Sequence, residues 1–156
     1  MQSEQQNSPI KILLADDDTD DRFFFEKALK EIPISNTLRT VENGEELMDY
    51  LSKPETNLPD IIFLDISMPR KTGVECLIEI KNDEKLEHIP VIIFTTSFTR
   101  GLELEMKLSN TLFTMGAQDY LRKPSSFEEL KQVLHQTLIK MTEKANLKIK
   151  GGTSNE

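Results

Sequence analysis

Short apolar runs punctuate this chain, and each stops abruptly at polar residues. Residues 10–15 end at Asp16-Asp17-Asp18, residues 61–64 at Asp65 and residues 91–94 at Thr95-Thr96, and a further short strand signal at 119–121 stands just before Lys123-Pro124. Runs this brief and uniformly apolar read as strands covered on both faces, because half-exposed strands alternate. The stretches between them carry helical spacing. Residues 19–32 place Phe24, Phe25, Ala28, Leu29 and Ile32 on one broad face, and Pro33 stops the helix. A weaker strand at 37–41 leads through the turn pair Asn43-Gly44 into a helix containing Leu47 and Leu51. Beyond Asp65, a loop with Met68-Pro69 and Gly73 feeds a helix with Val74, Leu77 and Ile78.

The fourth helical stretch is long. Wound at about 100° per residue, residues 101–115 put Leu104, Leu108, Leu112 and Met115 on a sheet-facing stripe, with Leu102, Met106 and Phe113 opposite. Alternation in 102–108 also admits an irregular start, and an added turn hiding Phe113 is the bland reading of the extra residues. Ser126 and Glu129 have capping-box spacing ahead of a last helix with Phe127, Leu130, Leu134 and Leu138. Five strand signals alternating with five helical ones predict α/β layers around a parallel sheet. The expected domain is 9–143, between flexible tails at 1–8 and 144–156.

Composition narrows the function classes. The 156 residues carry a formal charge of -8, which argues against sequence-independent nucleic-acid binding. No apolar run is long enough to span a bilayer. The single cysteine, Cys76, rules out an internal disulfide, and with no signal peptide in view the expected location is the cytoplasm. Cys76 reads as a small, partly buried apolar residue, and His88 and His135 as surface histidines without ligand spacing.

The polar residues at the strand ends matter most. In open α/β sheets, ligands bind beyond the carboxyl ends of the strands. Asp16, Asp17, Asp65, Thr95 and Lys123 should therefore converge on one shallow site. Three neighbouring carboxylates repel unless a cation sits among them, and Mg²⁺ suits such oxygen ligands. Lys123 and Thr95 then have a task if an aspartyl phosphate forms, since it brings roughly two negative charges and three acceptor oxygens. Asp18, Asp20 and Asp21 read instead as helix capping and dipole residues, and Phe23-Phe24-Phe25 as core plus one partly exposed ring.

These residues resemble the receiver domains of two-component response regulators. The resemblance covers about residues 10–140 and rests on Leu14-Ala15-Asp16-Asp17-Asp18, Leu64-Asp65, Met68-Pro69 with Gly73, Pro90 through Thr95, and Tyr120 through Lys123-Pro124. Asp16 through Arg22, Asn43-Gly44-Glu45-Glu46 and Thr95-Thr96-Ser97 make it most similar to stand-alone receivers of the phytochrome-associated type. The resemblance implies a flavodoxin-like, doubly wound five-stranded parallel sheet of order 2-1-3-4-5 with five helices. It implies Asp65 as the acceptor of a phosphoryl group from a histidine kinase or phosphotransfer protein. Asp16, Asp17, Asp65 and the Ser67 backbone carbonyl would hold Mg²⁺, Lys123 would contact the phosphoryl group, and Thr95 with Tyr120 would form a switch pair. The stretch from Thr95 to Lys123 is longer than in compact receivers, which affects the fourth helix. The helix 4, strand 5 and helix 5 face is the candidate surface for a homodimer or an unknown downstream protein.

Two rivals meet this chain less well. A haloacid-dehalogenase-type phosphatase needs D-x-D-x-T or V, but Asp20 occupies the fifth place after Asp16, and Ser67 stands two places after Asp65. A degenerate receiver, acting as a phosphorylation-independent binding module, would lack the acidic pair, the acceptor or the lysine. A transcription factor would need an output domain beyond the last helix. The chain is thus expected to be a phosphoacceptor rather than a turnover enzyme, acting without nucleic acid or membrane.

Overall fold

The computed structural model describes residues 8–54, 57–96 and 101–154, with side chains described as far as residue 143. Five strands form one parallel sheet: β1 Ile10–Ala15, β2 Asn36–Val41, β3 Ile61–Leu64, β4 Val91–Thr95 and β5 Asp119–Arg122. Their order is β2-β1-β3-β4-β5, the expected 2-1-3-4-5. The connecting helices are α1 Thr19–Lys30, α2 Gly44–Ser52, α3 Gly73–Lys81, α4 Leu102–Thr114 and α5 Phe127–Ser154. Reversal of strand order between β1 and β3 opens a crevice at the carboxyl ends, where the polar residues lie.

Strand periodicity divides the core in two. Leu13, Ala15, Ile62, Leu64, Val91 and Ile93 point towards α2, α3 and α4, while Ile12, Leu14, Ile61, Phe63, Ile92 and Phe94 face α1 and α5. On the second face, Phe25, Phe63 and Phe94 stack edge-to-face with centroids 5.1, 5.6 and 6.2 Å apart. Such pairs are each worth about 0.5–1.5 kcal/mol beyond their burial. Phe94 directly precedes Thr95, and Phe63 lies two residues before Asp65, so this packing fixes the strand ends that carry the site.

Helix starts follow local chemistry. Asp18 caps α1 by accepting from the Asp21 N–H, and Asn43 caps α2 by accepting from the Glu46 N–H. Asn43-Gly44, expected as a turn pair, is therefore a helix entry. Thr72 and Glu75 form a complete capping box on α3, and Ser126 Oγ accepts from the Glu129 N–H at 3.1 Å as its spacing predicts.

Several boundaries and faces differ from expectation. Helix α1 ends at Lys30, and Ile32 is buried in the turn that follows. Phe25 alone of the three consecutive rings is core; Phe24 is 45% exposed and lies tilted against Phe127, centroids 6.4 Å apart. Cys76 is wholly buried, its Sγ 3.6 Å from the Gly44 carbonyl, and burial pushes the thiol up to about 11. Helix α4 is regular throughout, and Leu102, Met106 and Phe113 are exposed as expected. Leu104 was expected to face the sheet, yet it is 52% exposed and Glu105 is buried instead. The buried stripe runs back from Leu112 and the half-buried Leu108 by three residues rather than four, because Glu105 meets Arg122 of β5 there. Exposure of Phe113 also removes the reading in which an added turn hides it. The α5 backbone is described as far as Ser154. Residues 1–7 of the expected N-terminal tail at 1–8, and Ser97, lie outside the described residues.

Candidate phosphoacceptor site

Strand register assembles the site. Ala15 is level with Leu64, so Asp16 and Asp65 emerge side by side, and the Asp65 N–H donates to the Ala15 carbonyl at 3.0 Å. Thr95 is level with Arg122, and the Lys123 N–H donates to the Thr95 carbonyl at 2.8 Å, which brings Lys123 over the same crevice. Gly73 closes the base. A Cβ there would lie 2.3 Å from the Asp65 carbonyl oxygen and 2.7 Å from Ile66 Cα, so only glycine lets α3 start against this loop. In the same loop Arg70 adopts a left-handed backbone, φ 71°.

Asp65 is buried and its carboxylate is held on both oxygens. Thr95 Oγ1 donates to Oδ1 at 2.8 Å and the Ser67 N–H donates to the same oxygen at 3.1 Å. Lys123 Nζ donates to Oδ2 at 3.1 Å. The ammonium also lies 2.7 Å from Asp16 Oδ2 and 2.8 Å from Asp21 Oδ2. Burial alone would lower the affinity of Lys123 for its proton, but the surrounding carboxylates outweigh it and hold the ammonium well above the usual lysine range. For Asp16, burial dominates and pushes the carboxyl up to about 6; the nearby Asp65 charge adds to this, while Lys123 and the Asp18 N–H oppose it.

Asp16, Asp17 and Asp65 each bring one oxygen within 4.8 Å of the others. Asp16 Oδ2 is buried without a hydrogen bond; its contact with Lys123 is an ion pair lacking hydrogen-bond geometry. A buried carboxylate oxygen with unused lone pairs, two further carboxylates in reach and an all-oxygen donor set fit a hard divalent cation. Arg22 steadies the loop by donating to the Asp16 carbonyl at 2.8 Å.

Tyr120 lies on β5, one strand over from Thr95 and two from the strand that ends at the acceptor. It is level with Ile93, so it shares the sheet face of Ile93 and Thr95 and lies diagonal to the threonine. Its ring packs half-buried against the core, and its hydroxyl donates to Glu105 Oε2 at 3.4 Å. Arg122 pairs with the same carboxylate. Asp21 and Glu105 are the residues that sequence reasoning missed. Both looked like ordinary acidic residues in the first turn of a helix, and only their distant partners reveal them.

The response regulator receiver domain model matches residues 12–135, and the chain belongs to that family, whose members are phosphoacceptors that interact with histidine kinases or phosphotransfer proteins. It is 34% identical over 99 residues to the response regulator Rcp1 of a Synechocystis strain, covering 61% of this chain and 67% of that protein. The crystal structure of Mn²⁺-bound Rcp1 superposes with TM-score 0.71 at 27% identity, over 82% of this chain and 91% of that one. The phosphorylated cyanobacterial phytochrome response regulator RcpA superposes with TM-score 0.72 at 29% identity, over 83% and 91%. A further relative, the 3',5'-cyclic-nucleotide phosphodiesterase regA of Dictyostelium discoideum, is 34% identical over 131 residues. That match takes in 84% of this chain but only 16% of the relative's length. Among the described residues, no helix is long and apolar enough to cross a membrane.

Proposed function

We propose that this chain accepts a phosphoryl group on Asp65 from a histidine kinase or phosphotransfer protein, with Mg²⁺, and signals through a change at its α4-β5-α5 face. The observation that carries this reading is the environment of the Asp65 carboxylate. One oxygen is oriented by Thr95 and the Ser67 N–H, the other by Lys123, and Asp16 and Asp17 stand within ligand reach.

In the transfer, an Asp65 carboxylate oxygen forms a bond to phosphorus while the phosphorus–nitrogen bond of the donor phosphohistidine breaks, and the imidazole leaves with the electron pair. Asp16, Asp17, Asp65 and the Ser67 carbonyl would hold Mg²⁺, which supplies charge neutralisation for the phosphoryl oxygens. Lys123 supplies a second positive charge, and Thr95 turns its hydroxyl from Asp65 to a phosphoryl oxygen. Thr95 and Tyr120 share one sheet face, which supports their reading as the switch pair. Leu102 and Met106, exposed on α4 beside Glu105, Tyr120 and Arg122, are the expected contact for a downstream protein or a second copy. The presence of acceptor, acidic pair and lysine favours this over a phosphorylation-independent binding module. The test is modification by acetyl phosphate or beryllofluoride, which should occur at one residue, require Mg²⁺ and vanish in Asp65→Asn.

A further inference from the structure

We propose that Asp21 is a positioning residue which competes with the phosphoryl group for Lys123. Asp21 thereby sets how tightly the site holds that group. The inference rests on the phosphoacceptor reading and concerns a residue outside the acceptor and cation-binding set.

An ammonium has three N–H donors. In this site three carboxylates surround Lys123: Asp16 at 2.7 Å, Asp21 at 2.8 Å and Asp65 at 3.1 Å. The lysine side chain is 9% exposed, so little solvent remains to complete its shell. Asp16 and Asp65 also belong to the cluster suited to a divalent cation, and Asp65 is the acceptor itself. Asp21 belongs to neither. It reaches Lys123 from the first turn of α1, and its own side chain is 38% exposed. When a phosphoryl oxygen arrives, Asp21 is therefore the partner that Lys123 gives up at least cost.

The surroundings allow that exchange. Asp21 lines a cavity of about 330 Å³ together with Phe24, Lys123 and Ser125, so its carboxylate has open volume into which to turn. The backbone of Asp21 is independently fixed, because its N–H donates to Asp18 Oδ1. The side chain can leave Lys123 while the helix start stays in place. Until it leaves, its negative charge also opposes the anionic group being bound.

The experiment compares wild type, Asp21→Asn and Asp21→Glu by NMR titration, first with Mg²⁺ alone and then with beryllofluoride at saturating Mg²⁺. Asparagine keeps the backbone donor and the side-chain shape but removes the charge. Asp21→Asn should bind beryllofluoride about three- to tenfold more tightly, the range expected for losing one partly exposed competing charge. Its affinity for Mg²⁺ alone should hold or fall, since one negative charge has gone. A gain for beryllofluoride without a gain for Mg²⁺ separates competition from general damage, which weakens both. Asp21→Glu should stay near wild type, and the gap between wild type and Asp21→Asn should narrow as salt is raised. Equal or weaker beryllofluoride binding by Asp21→Asn overturns the inference and leaves the phosphoacceptor reading standing. A wild type that takes up no beryllofluoride overturns both.

Discussion

Glu105 of α4 is buried and forms an ion pair with Arg122 of β5, and the Tyr120 hydroxyl donates to the same carboxylate. A second bond runs from Arg122 Nε to Glu105 Oε2 at 3.2 Å. The pair ties the helix expected to move to the strand that carries the expected switch aromatic. Replacing Glu105 by Gln should loosen α4 locally. Amide hydrogen exchange should accelerate in α4 more than in α3, whose capping box is untouched. Uniform acceleration across both helices would show that the pair supports only global stability.

Thr95 gives a cleaner separation of chemistry from response. Its hydroxyl is buried and committed to Asp65 Oδ1. Thr95→Ala should cost about 1.5–3 kcal/mol of stability, as expected for a buried hydrogen bond to a charged acceptor. Labelling of Asp65 should persist, but the spectral changes at Tyr120 that accompany it should shrink. Identical shifts in wild type and variant, followed by NMR, would remove Thr95 from the switch.

The pH dependence of metal-free stability follows from Asp16. Burial raises its carboxyl from 3.8 to about 6, so the folded state holds this proton more tightly than the unfolded chain. Below the unfolded value both states are protonated and the group costs nothing. As pH rises from 3.8 to about 6, the unfolded chain ionises first and stability falls. Above that window the penalty is constant, on the order of 2–3 kcal/mol. In EDTA, Asp16→Asn should therefore be more stable than wild type at neutral pH, with the advantage fading towards acid. Urea midpoints whose difference does not change with pH would contradict the assignment of this shift to Asp16.

Gly73→Ala tests the packing under the acceptor. The added Cβ would press on the Asp65 carbonyl and the Ile66 backbone, neither of which can yield like a flexible side chain. Overpacking of this kind costs about 1–3 kcal/mol. Denaturant unfolding should register that loss, and labelling of Asp65 should slow because its loop has moved. Wild-type labelling in a destabilised variant would show that the strain is absorbed in α3 instead.

The exposed pair Leu102 and Met106 bears on partner binding. Replacing both by Glu should reduce self-association or capture of a downstream protein while leaving Asp65 labelling unchanged. Analytical ultracentrifugation giving the same mass for wild type and variant, phosphorylated or not, would remove the homodimer.

The strand ends were legible in the sequence because two local signals coincide there. An uninterrupted run such as Ile61-Ile62-Phe63-Leu64 can only be a covered strand or a short buried segment, and the aspartate that follows marks its end. Asp16 and Thr95 were found in the same way, and Lys123 by its place after the weaker strand signal at 119–121. Asp21 was not, because its partner lies 102 positions away and its local context is that of any acidic first turn. The phase of α4 failed for a related reason. Leu104 and Glu105 both suit a helix start, and hydrophobicity favours the leucine, but the counter-charge of Arg122 on β5 turns the glutamate inward. Similarly, Phe24 has the same side chain as Phe25, and only the packing of α1 on the sheet decides that Phe25 is the ring covered by Phe63 and Phe94.

The central claim is that Asp65 alone receives the phosphoryl group and that the acidic cluster must be occupied for it to do so. Incubating the chain with a phosphorylated histidine phosphotransfer protein, in Mg²⁺ or in EDTA, and mapping the modified peptide by mass spectrometry tests this directly. One added phosphoryl group on the Asp65 peptide in Mg²⁺, and none in EDTA or in Asp65→Asn, is the expected result. Modification at another residue, or equal labelling in EDTA, would contradict the account.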